Sequence, residues 1–446
     1  MCGLSTTKRY SPRSALEAGS CVALFLALGS AWALTYPVAE PPDELFHLMY
    51  ASHVARLGRL PLMRPPEIVE VPVEGNQPPL YYRLGALALR AGDLAQLEVE
   101  IPPRNPRSNK RGGTEPAVYA HDARDYPWAL IGRATRLLRL CFLPLGALVV
   151  ASAYAAASVF RPEDRSLPLL AGGFAATLPQ FSFIMGSVTN DALANAIAAI
   201  ALATLIAMLS RGGTPKLYVV GAMGVVLGLG LTAKMTLVFL VPVAIAGLWL
   251  ACPAGRRVSA TIVLLAAIGI FAGPLLLGNW REYGDPFALE LNRRMFPQRV
   301  HQLSLGYVGR TMLPALFFSF WGVFGHMNVH LGKLYGIFVL LTILPAWGMA
   351  RRWRRGDLSG HQRRTLRLCA LTLLLLFASI VRYNLIFPQP QGRYAFPGLV
   401  VLALLFAEGT AEWIGSRWTW ALAVVALMAA LNLAILFGVA LPAYAG

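Results

Sequence analysis

Apolar residues in this chain fall into long unbroken runs. They lie near 18–36, 130–160, 167–186, 190–210, 216–232, 236–252, 258–279, 329–350, 366–387, 395–413 and 418–441. Most approach the ~20 residues that carry an α-helix across a bilayer. Helices and closed barrels are the only spanning structures that satisfy their own backbone in hydrocarbon. The pattern therefore predicts an all-α, polytopic membrane bundle of about eleven transmembrane helices. Two polar stretches interrupt it, 37–129 and 280–328, and these are the expected water-exposed loops. The chain is read as a single transmembrane domain over 1–446, with interfacial helices in the first loop.

Composition sharpens the class. Of 446 residues, 56% are hydrophobic and 14% charged, against about 25% charged in soluble domains. A soluble enzyme, a secreted disulfide scaffold and a disordered chain are all excluded. The net charge of +17 does not point to nucleic acid, because its placement follows topology. Lys8, Arg9, Arg13, the Arg161–Arg165 loop, the Arg211–Lys216 loop, Arg256-Arg257, the Arg351–Arg367 run and Arg417 all fall on one side of the bundle. Lys and Arg in short loops mark the cytoplasmic side. The expectation is a multi-pass protein of the inner (plasma) membrane, its N-terminus cytoplasmic, its first helix retained, and its active site extracytoplasmic. Residues 78–92 are apolar but short and contain Arg83 and Arg90 seven apart, so they are read as an interfacial helix, not a span. Five cysteines show no metal or CxxC spacing. Cys2 lies in the N-terminal tail, and Cys21, Cys141, Cys252 and Cys369 are small apolar fillers.

Several residues have the types and spacing of a reactive site. Asp43, His47 and Tyr50 stand at i, i+4 and i+7 after Pro41-Pro42, on one helix face. Asp43 and Glu44 also suit the first turn of a helix as plain caps. Asp191 is the only acidic residue between Asp164 and Glu282, and it too has a capping alternative. Lys234 interrupts an apolar stretch where a charge is expensive; it is expected at an outward hairpin, as a snorkelling anchor or a phosphate ligand. Arg393, in Gln391-Gly392-Arg393-Tyr394, has the fork geometry that binds phosphate and equally suits an interfacial anchor. Glu408 and Glu412, one turn apart, are expected to be structural, paired with Arg417.

Taken in order, Pro42-Asp43-Glu44…His47…Tyr50, Asn76-Gln77-Pro78-Pro79-Leu80-Tyr81-Tyr82, Gly132-Arg133-Ala134-Thr135-Arg136, Thr189-Asn190-Asp191-Ala192-Leu193, Gly230-Leu231-Thr232-Ala233-Lys234 and Gly392-Arg393-Tyr394-Ala395-Phe396-Pro397 resemble the GT-C superfamily of membrane glycosyltransferases. The branch is that of protein mannosyltransferases and lipid A aminoarabinose transferases. The resemblance implies transfer of a sugar from a polyprenyl-monophosphate donor to a glycan, lipid or protein acceptor on the extracytoplasmic face. It implies Asp43 as the general base or acceptor-orienting group, with Glu44 its neighbour, and Asp191 as the second acidic residue of the catalytic cavity. It implies Lys234 and Arg393 near the donor phosphate. His47, Tyr50, Gln77 and Tyr394 complete the expected substrate-binding set. Gln77 departs from the Lys or His usual in relatives, and 93–127 reads as an added loop. No metal site or cofactor is expected, although two carboxylates beside a phosphate also suit a divalent ion. The competing readings are a transporter or flippase for lipid-linked saccharides and a non-catalytic assembly partner. The second loop, with Trp280-Arg281-Glu282-Tyr283, Arg293-Arg294 and His326, is expected to help select the acceptor.

Overall fold

The computed structural model describes residues 12–298 and 304–445. Cys2, Lys8 and Arg9 lie outside the described residues. Almost every element is helical: α1 (Pro12–Thr35), α2 (Glu44–Leu57), α3 (Leu80–Ala91), α4 (Trp128–Phe160), α5 (Ser166–Thr177), α6 (Pro179–Met185), α7 (Asp191–Arg211), α8 (Leu217–Ala233), α9 (Leu240–Ala251), α10 (Ala254–Tyr283), α11 (Leu289–Met295), the single turn α12 (Leu305–Tyr307), α13 (Leu313–Trp321), α14 (Tyr335–Arg355), α15 (Gly360–Ile386), α16 (Leu399–Ile414) and α17 (Trp418–Ile435). The described strands form two small hairpins, β1 (Met63–Arg64) with β2 (Ile68–Val69) and β3 (Val323–Phe324) with β4 (Val329–His330).

Eight helices are long and apolar enough to cross a membrane, and the bent pair α5–α6 makes a ninth. Two shorter apolar helices occupy the stretches on either side of Lys234. These elements coincide with the apolar runs in the sequence. The 59° bend between α5 and α6 falls at Leu178, which precedes Pro179 and is therefore pushed out of helical geometry. Every residue of α5 and α6 is buried, as is most of α7, so these three elements are the dry centre. Helix α4 packs along α1, α5 and α7, and α8 fills the space between α7 and α10. Residues 80–91 form a 12-residue helix, too short to span. Its Tyr81, Tyr82, Gly85, Ala86 and Leu89 face inward, while Arg83 and Arg90 stay exposed.

A buried ion network closes the end of the bundle where α4 stops. Arg161 binds Asp164 at 2.9 Å and also Glu408, which Arg352 contacts at 2.9 Å. Glu412 is held by Arg355 at 2.7 Å. The expected partner Arg417 is thus replaced by Arg161 and the basic last turn of α14. The reason is a close helix crossing: a Cβ on Gly409 would lie 1.9 Å from the Pro345 carbonyl oxygen, and one on Gly348 would lie 2.1 Å from that of Gly409. Such approach brings α14 alongside α16 and delivers its arginines to both glutamates.

At the other end, one arginine organises the chain. Arg139 on α4 is completely buried, and each of its five N–H donors finds an oxygen. Nε and Nη2 clamp the Glu44 carboxylate at 2.8 and 2.6 Å. The remaining donors bind the carbonyls of Ala33, Tyr36 and Pro37 at 2.9, 2.8 and 3.1 Å. Glu44 also accepts from the backbone N–H groups of Val188 (2.9 Å) and Ala39 (3.0 Å). The end of α1, the start of α2 and the turn before α7 are thereby tied to one guanidinium. Breaking one side of such a buried pair is costly, so Arg139→Ala is expected to lose about 3–5 kcal/mol of stability. Arg139→Met combined with Glu44→Gln, which removes both charges, should recover most of that loss. Unfolding temperatures in detergent check this, and an Arg139→Ala protein as stable as wild type would refute it.

Candidate active site

Asp43 occupies the N-cap position of α2 in the left-handed region, at φ 61°. That conformation is unfavourable for a residue with a Cβ. Its side chain caps nothing; it turns away to meet Arg393, whose Nη2 lies 2.8 Å from Oδ2. The capping alternative for Asp43 is therefore set aside. Burial pushes the Asp43 carboxyl up, but the Arg393 guanidinium outweighs it and holds the group below the usual carboxylate range. Asp43 is ionised at neutral pH.

Arg393 is delivered by a tight turn. The Gly392 N–H donates to Ser319 Oγ on α13 at 2.7 Å, and a Cβ on Gly392 would collide with the Phe320 backbone nitrogen at 2.1 Å. The loop expected at 280–328 thus folds its α13 segment back against the site. The Arg393 side chain is buried over the face of Tyr394, 5.6 Å from the ring centre. Its Nη1 stands 3.7 Å from Asp191 Oδ2. Asp191 in turn pairs through Oδ1 with the Lys234 ammonium, which also donates to Asn190 Oδ1 at 3.2 Å. Lys234 reaches this place because α8 ends there in extended backbone (φ −156°, ψ 120°). The capping duty at α7 falls to Thr189, whose Oγ1 accepts the Asp191 N–H at 3.2 Å. Four residues from four distant segments so form a row of alternating charge: Asp43, Arg393, Asp191, Lys234. Neither Arg393 Nε nor Asp191 Oδ2 has a hydrogen-bond partner.

Beside the row sits a buried uncharged trio. Tyr82 donates to Glu74 Oε2 at 3.2 Å and shares a proton with His47 Nδ1 at 2.9 Å. The tyrosine ring stacks on Tyr50 at 3.8 Å. Burial holds His47 neutral, depressed to about 3 although the Asp43 charge opposes this. Burial, reinforced by the Asp43 charge, raises Glu74 to about 8. At pH 7 the imidazole and the carboxyl are both neutral. Tyr50 donates to the Gln77 carbonyl at 3.3 Å, and the Gln77 side-chain oxygen accepts from Asn190 Nδ2 at 3.3 Å. Tyr394 points its hydroxyl at Gln389 Oε1, 3.3 Å away.

The structure therefore gathers Asp43, His47, Tyr50, Gln77, Asp191, Lys234, Arg393 and Tyr394 around one region. Glu44 is the exception. Although adjacent to Asp43 in sequence, it points into the bundle, and its oxygens are consumed by Arg139 and two backbone N–H groups, so it positions rather than reacts. Sequence reasoning missed Glu74, which carries no motif of its own, and gave no role to Tyr82, although it closes the Asn76–Tyr82 motif. It also missed Arg139, whose charge inside the apolar run 130–160 was the available signal. His326 was placed in an acceptor-selecting loop; its Nε2 donates to the Ala39 carbonyl at 3.1 Å, beside Asp43. Among the described residues, no three His, Cys, Asp or Glu side chains gather as a metal-binding group would.

The trio gives stability two opposed pH windows. His47 is depressed when folded, so its contribution grows as pH rises from about 3 toward the ordinary histidine range. Glu74 is raised, so its contribution is present at low pH and is lost as pH climbs toward about 8. The two oppose each other where the windows overlap, and only the Glu74 decline remains above the ordinary histidine pKa of about 6.5. Glu74→Gln is expected to flatten the fall in unfolding temperature over the last stretch before pH 8. An identical slope in wild type and variant would show that Glu74 is already ionised there.

No protein-family model matches the chain, and no curated protein matches it in sequence. Solved structures match in fold. ArnT from Cupriavidus metallidurans, bound to undecaprenyl phosphate, superposes with a TM-score of 0.51 over 97% of this chain and 73% of its own length, at 12% identity. The archaeal oligosaccharyltransferase AglB from Archaeoglobus fulgidus, in complex with an inhibitory peptide and a dolichol-phosphate, gives a TM-score of 0.53 over 97% of this chain and 56% of its own, at 13% identity. The S. cerevisiae protein O-mannosyltransferase Pmt1–Pmt2 complex aligns with 62% of this chain and 34% of its own, with a TM-score of 0.43 and 17% identity. At these identities the likeness to ArnT and AglB is one of fold alone.

Proposed function

We propose that this chain is an integral-membrane glycosyltransferase. It moves a sugar from a polyprenyl-monophosphate donor to an envelope glycan, lipid or protein on the extracytoplasmic face. The observation that carries the reading is the row Asp43–Arg393–Asp191–Lys234, with a partly exposed carboxylate at one end and cations held beside it. Neighbours of the same fold bind undecaprenyl phosphate and dolichol-phosphate, which supports a lipid-phosphate donor here.

The chemistry follows from the charges. An acceptor hydroxyl attacks the anomeric carbon, the new glycosidic C–O bond forms, and the bond to the phosphate oxygen breaks. The hydroxyl proton passes to Asp43 as general base, and the departing phosphate gains one negative charge. Arg393 touches Asp43, so protonating that carboxylate releases positive charge for the phosphate in the same step. Lys234 and the free Arg393 Nε complete the stabilisation of the leaving group. Asp191 holds both cations apart and ready. His47, kept neutral, adds no competing charge beside the base. The low Asp43 pKa makes it a modest base, suited to a step in which proton transfer accompanies departure of an acidic leaving group.

Asp43→Asn is nearly isosteric but cannot take a proton, and it should reduce turnover by about 10²–10⁴-fold while the protein stays folded. Arg393→Ala should also weaken donor binding. The decisive experiment deletes the gene, profiles surface glycans and glycolipids by mass spectrometry, and complements at matched expression. A product lacking one sugar, restored by wild type and not by Asp43→Asn, is expected. Rescue by Asp43→Asn would remove Asp43 from catalysis and favour a carrier or assembly role.

A further inference from the structure

A cavity of about 150 Å³ lies one residue beyond the Lys234 end of the charged row, at Met235. It lies between the Gly75–Pro79 turn, Tyr50 of α2 and the last turns of α10. Its polar lining is Tyr50, Asn76, Gln77, Asn279, Tyr283 and Asn292, and none of the residues lining it carries a charge. Asn76 Nδ2 donates to Asn292 Oδ1 and Asn279 Nδ2 donates to the Pro286 carbonyl. Asn76 Oδ1 is buried with no partner. Two features tie the cavity to the row. Met235, on its wall, follows Lys234 in the chain. Gln77 reaches Lys234 through one residue, Asn190, which binds both.

Resting on the glycosyl-transfer reading, we infer that this cavity holds the donor's sugar ring beside the phosphate site, and that the sugar transferred is an uncharged monosaccharide. A cavity of about 150 Å³ is on the scale of one six-membered ring. Amides supply both donors and acceptors, which suits a ring edged with hydroxyls that themselves do both. The half-buried ring of Tyr283 suits its C–H surfaces. A carboxylate or an ammonium group on the sugar would find no counter-charge in the lining, and a charge that exchanges water for uncharged partners is disfavoured.

The test uses the full-length protein in lipid nanodiscs and saturation-transfer NMR. The probes are neutral methyl pyranosides, each with its matched uronide and 2-amino-2-deoxy counterpart. At least one neutral glycoside is expected to bind about tenfold or more tightly than both charged counterparts, as a site without counter-charge dictates. Asn292→Asp keeps the acceptor for Asn76 and adds a negative charge. It should shift preference toward the amino sugar. Should that variant not fold, the wild-type comparison decides alone. Equal binding of neutral and charged probes, or no pyranoside binding, overturns the inference. Selective pyranoside binding in a protein whose deletion leaves surface glycans intact would defeat the transferase reading and spare the cavity. Transfer of a charged sugar would do the reverse.

Discussion

The active region stands on one buried ion pair. Arg139 and Glu44 lie inside a bundle where an unpaired charge would be prohibitive, and they persist because all five guanidinium donors are answered. The oxygens that answer come from the end of α1, the chain just after it, and the start of α2. Glu44 then reaches across to the backbone of Val188, in the turn that leads to Asp191. The two carboxylates proposed for catalysis, 148 positions apart, are therefore placed relative to each other by a third that takes no part. This also explains the strained backbone of Asp43. With Glu44 anchored inward, a left-handed residue before it lets the neighbouring side chain point outward to Arg393.

Charge is rationed at both ends of the molecule, for different purposes. Where α4 ends, Arg161, Arg352, Glu408 and Asp164 close on one another and leave a latch. From Arg139 to Arg161 is about 33 Å along the helix at 1.5 Å per residue, so the two clusters occupy opposite ends of the bundle. At the Asp43 end the two carboxylates and two cations alternate in a row, with Arg393 3.7 Å from Asp191 Oδ2. Both clusters leave single guanidinium nitrogens unpartnered, so it is the alternation of charge beside a partly exposed carboxylate that sets this end apart.

Much of this architecture was legible in the sequence, because apolar runs and short basic loops are strong local signals. The break at Lys234 was marked by a charge, whereas the run 167–186 reads as one span and its bend at Leu178 was not foreseen. Most candidate residues also converge, since Asp43, Asp191, Lys234 and Arg393 are each the rare polar group near the end of an apolar element. What was not legible depends on direction and environment. Asp43 and Glu44 are indistinguishable in sequence, yet one faces the row and the other the core. Glu74 reads as a loop glutamate, and only burial beside Tyr82 and His47 makes it neutral. Glu408 was assigned its nearest basic neighbour in sequence, whereas the glycine crossing of α14 and α16 chose Arg352.

For the glycosyl transfer proposed above, the charge balance of the row argues for a particular order of events. The two carboxylates and two cations of the row sum to zero, and the neutral His47 and Glu74 leave that sum unchanged. A donor phosphodiester brings one negative charge, which the row accommodates only by sharing its cations. The balance becomes favourable when Asp43 takes a proton, for then one positive charge is left over as the leaving phosphate acquires its second negative charge. A single guanidinium thus links deprotonation of the acceptor to departure of the phosphate. A stronger base, obtained by freeing Asp43 from Arg393, would sever that link and strand the leaving group's charge in a region of low polarity. The geometry accepts a weaker base in return for coupling the two halves of the reaction.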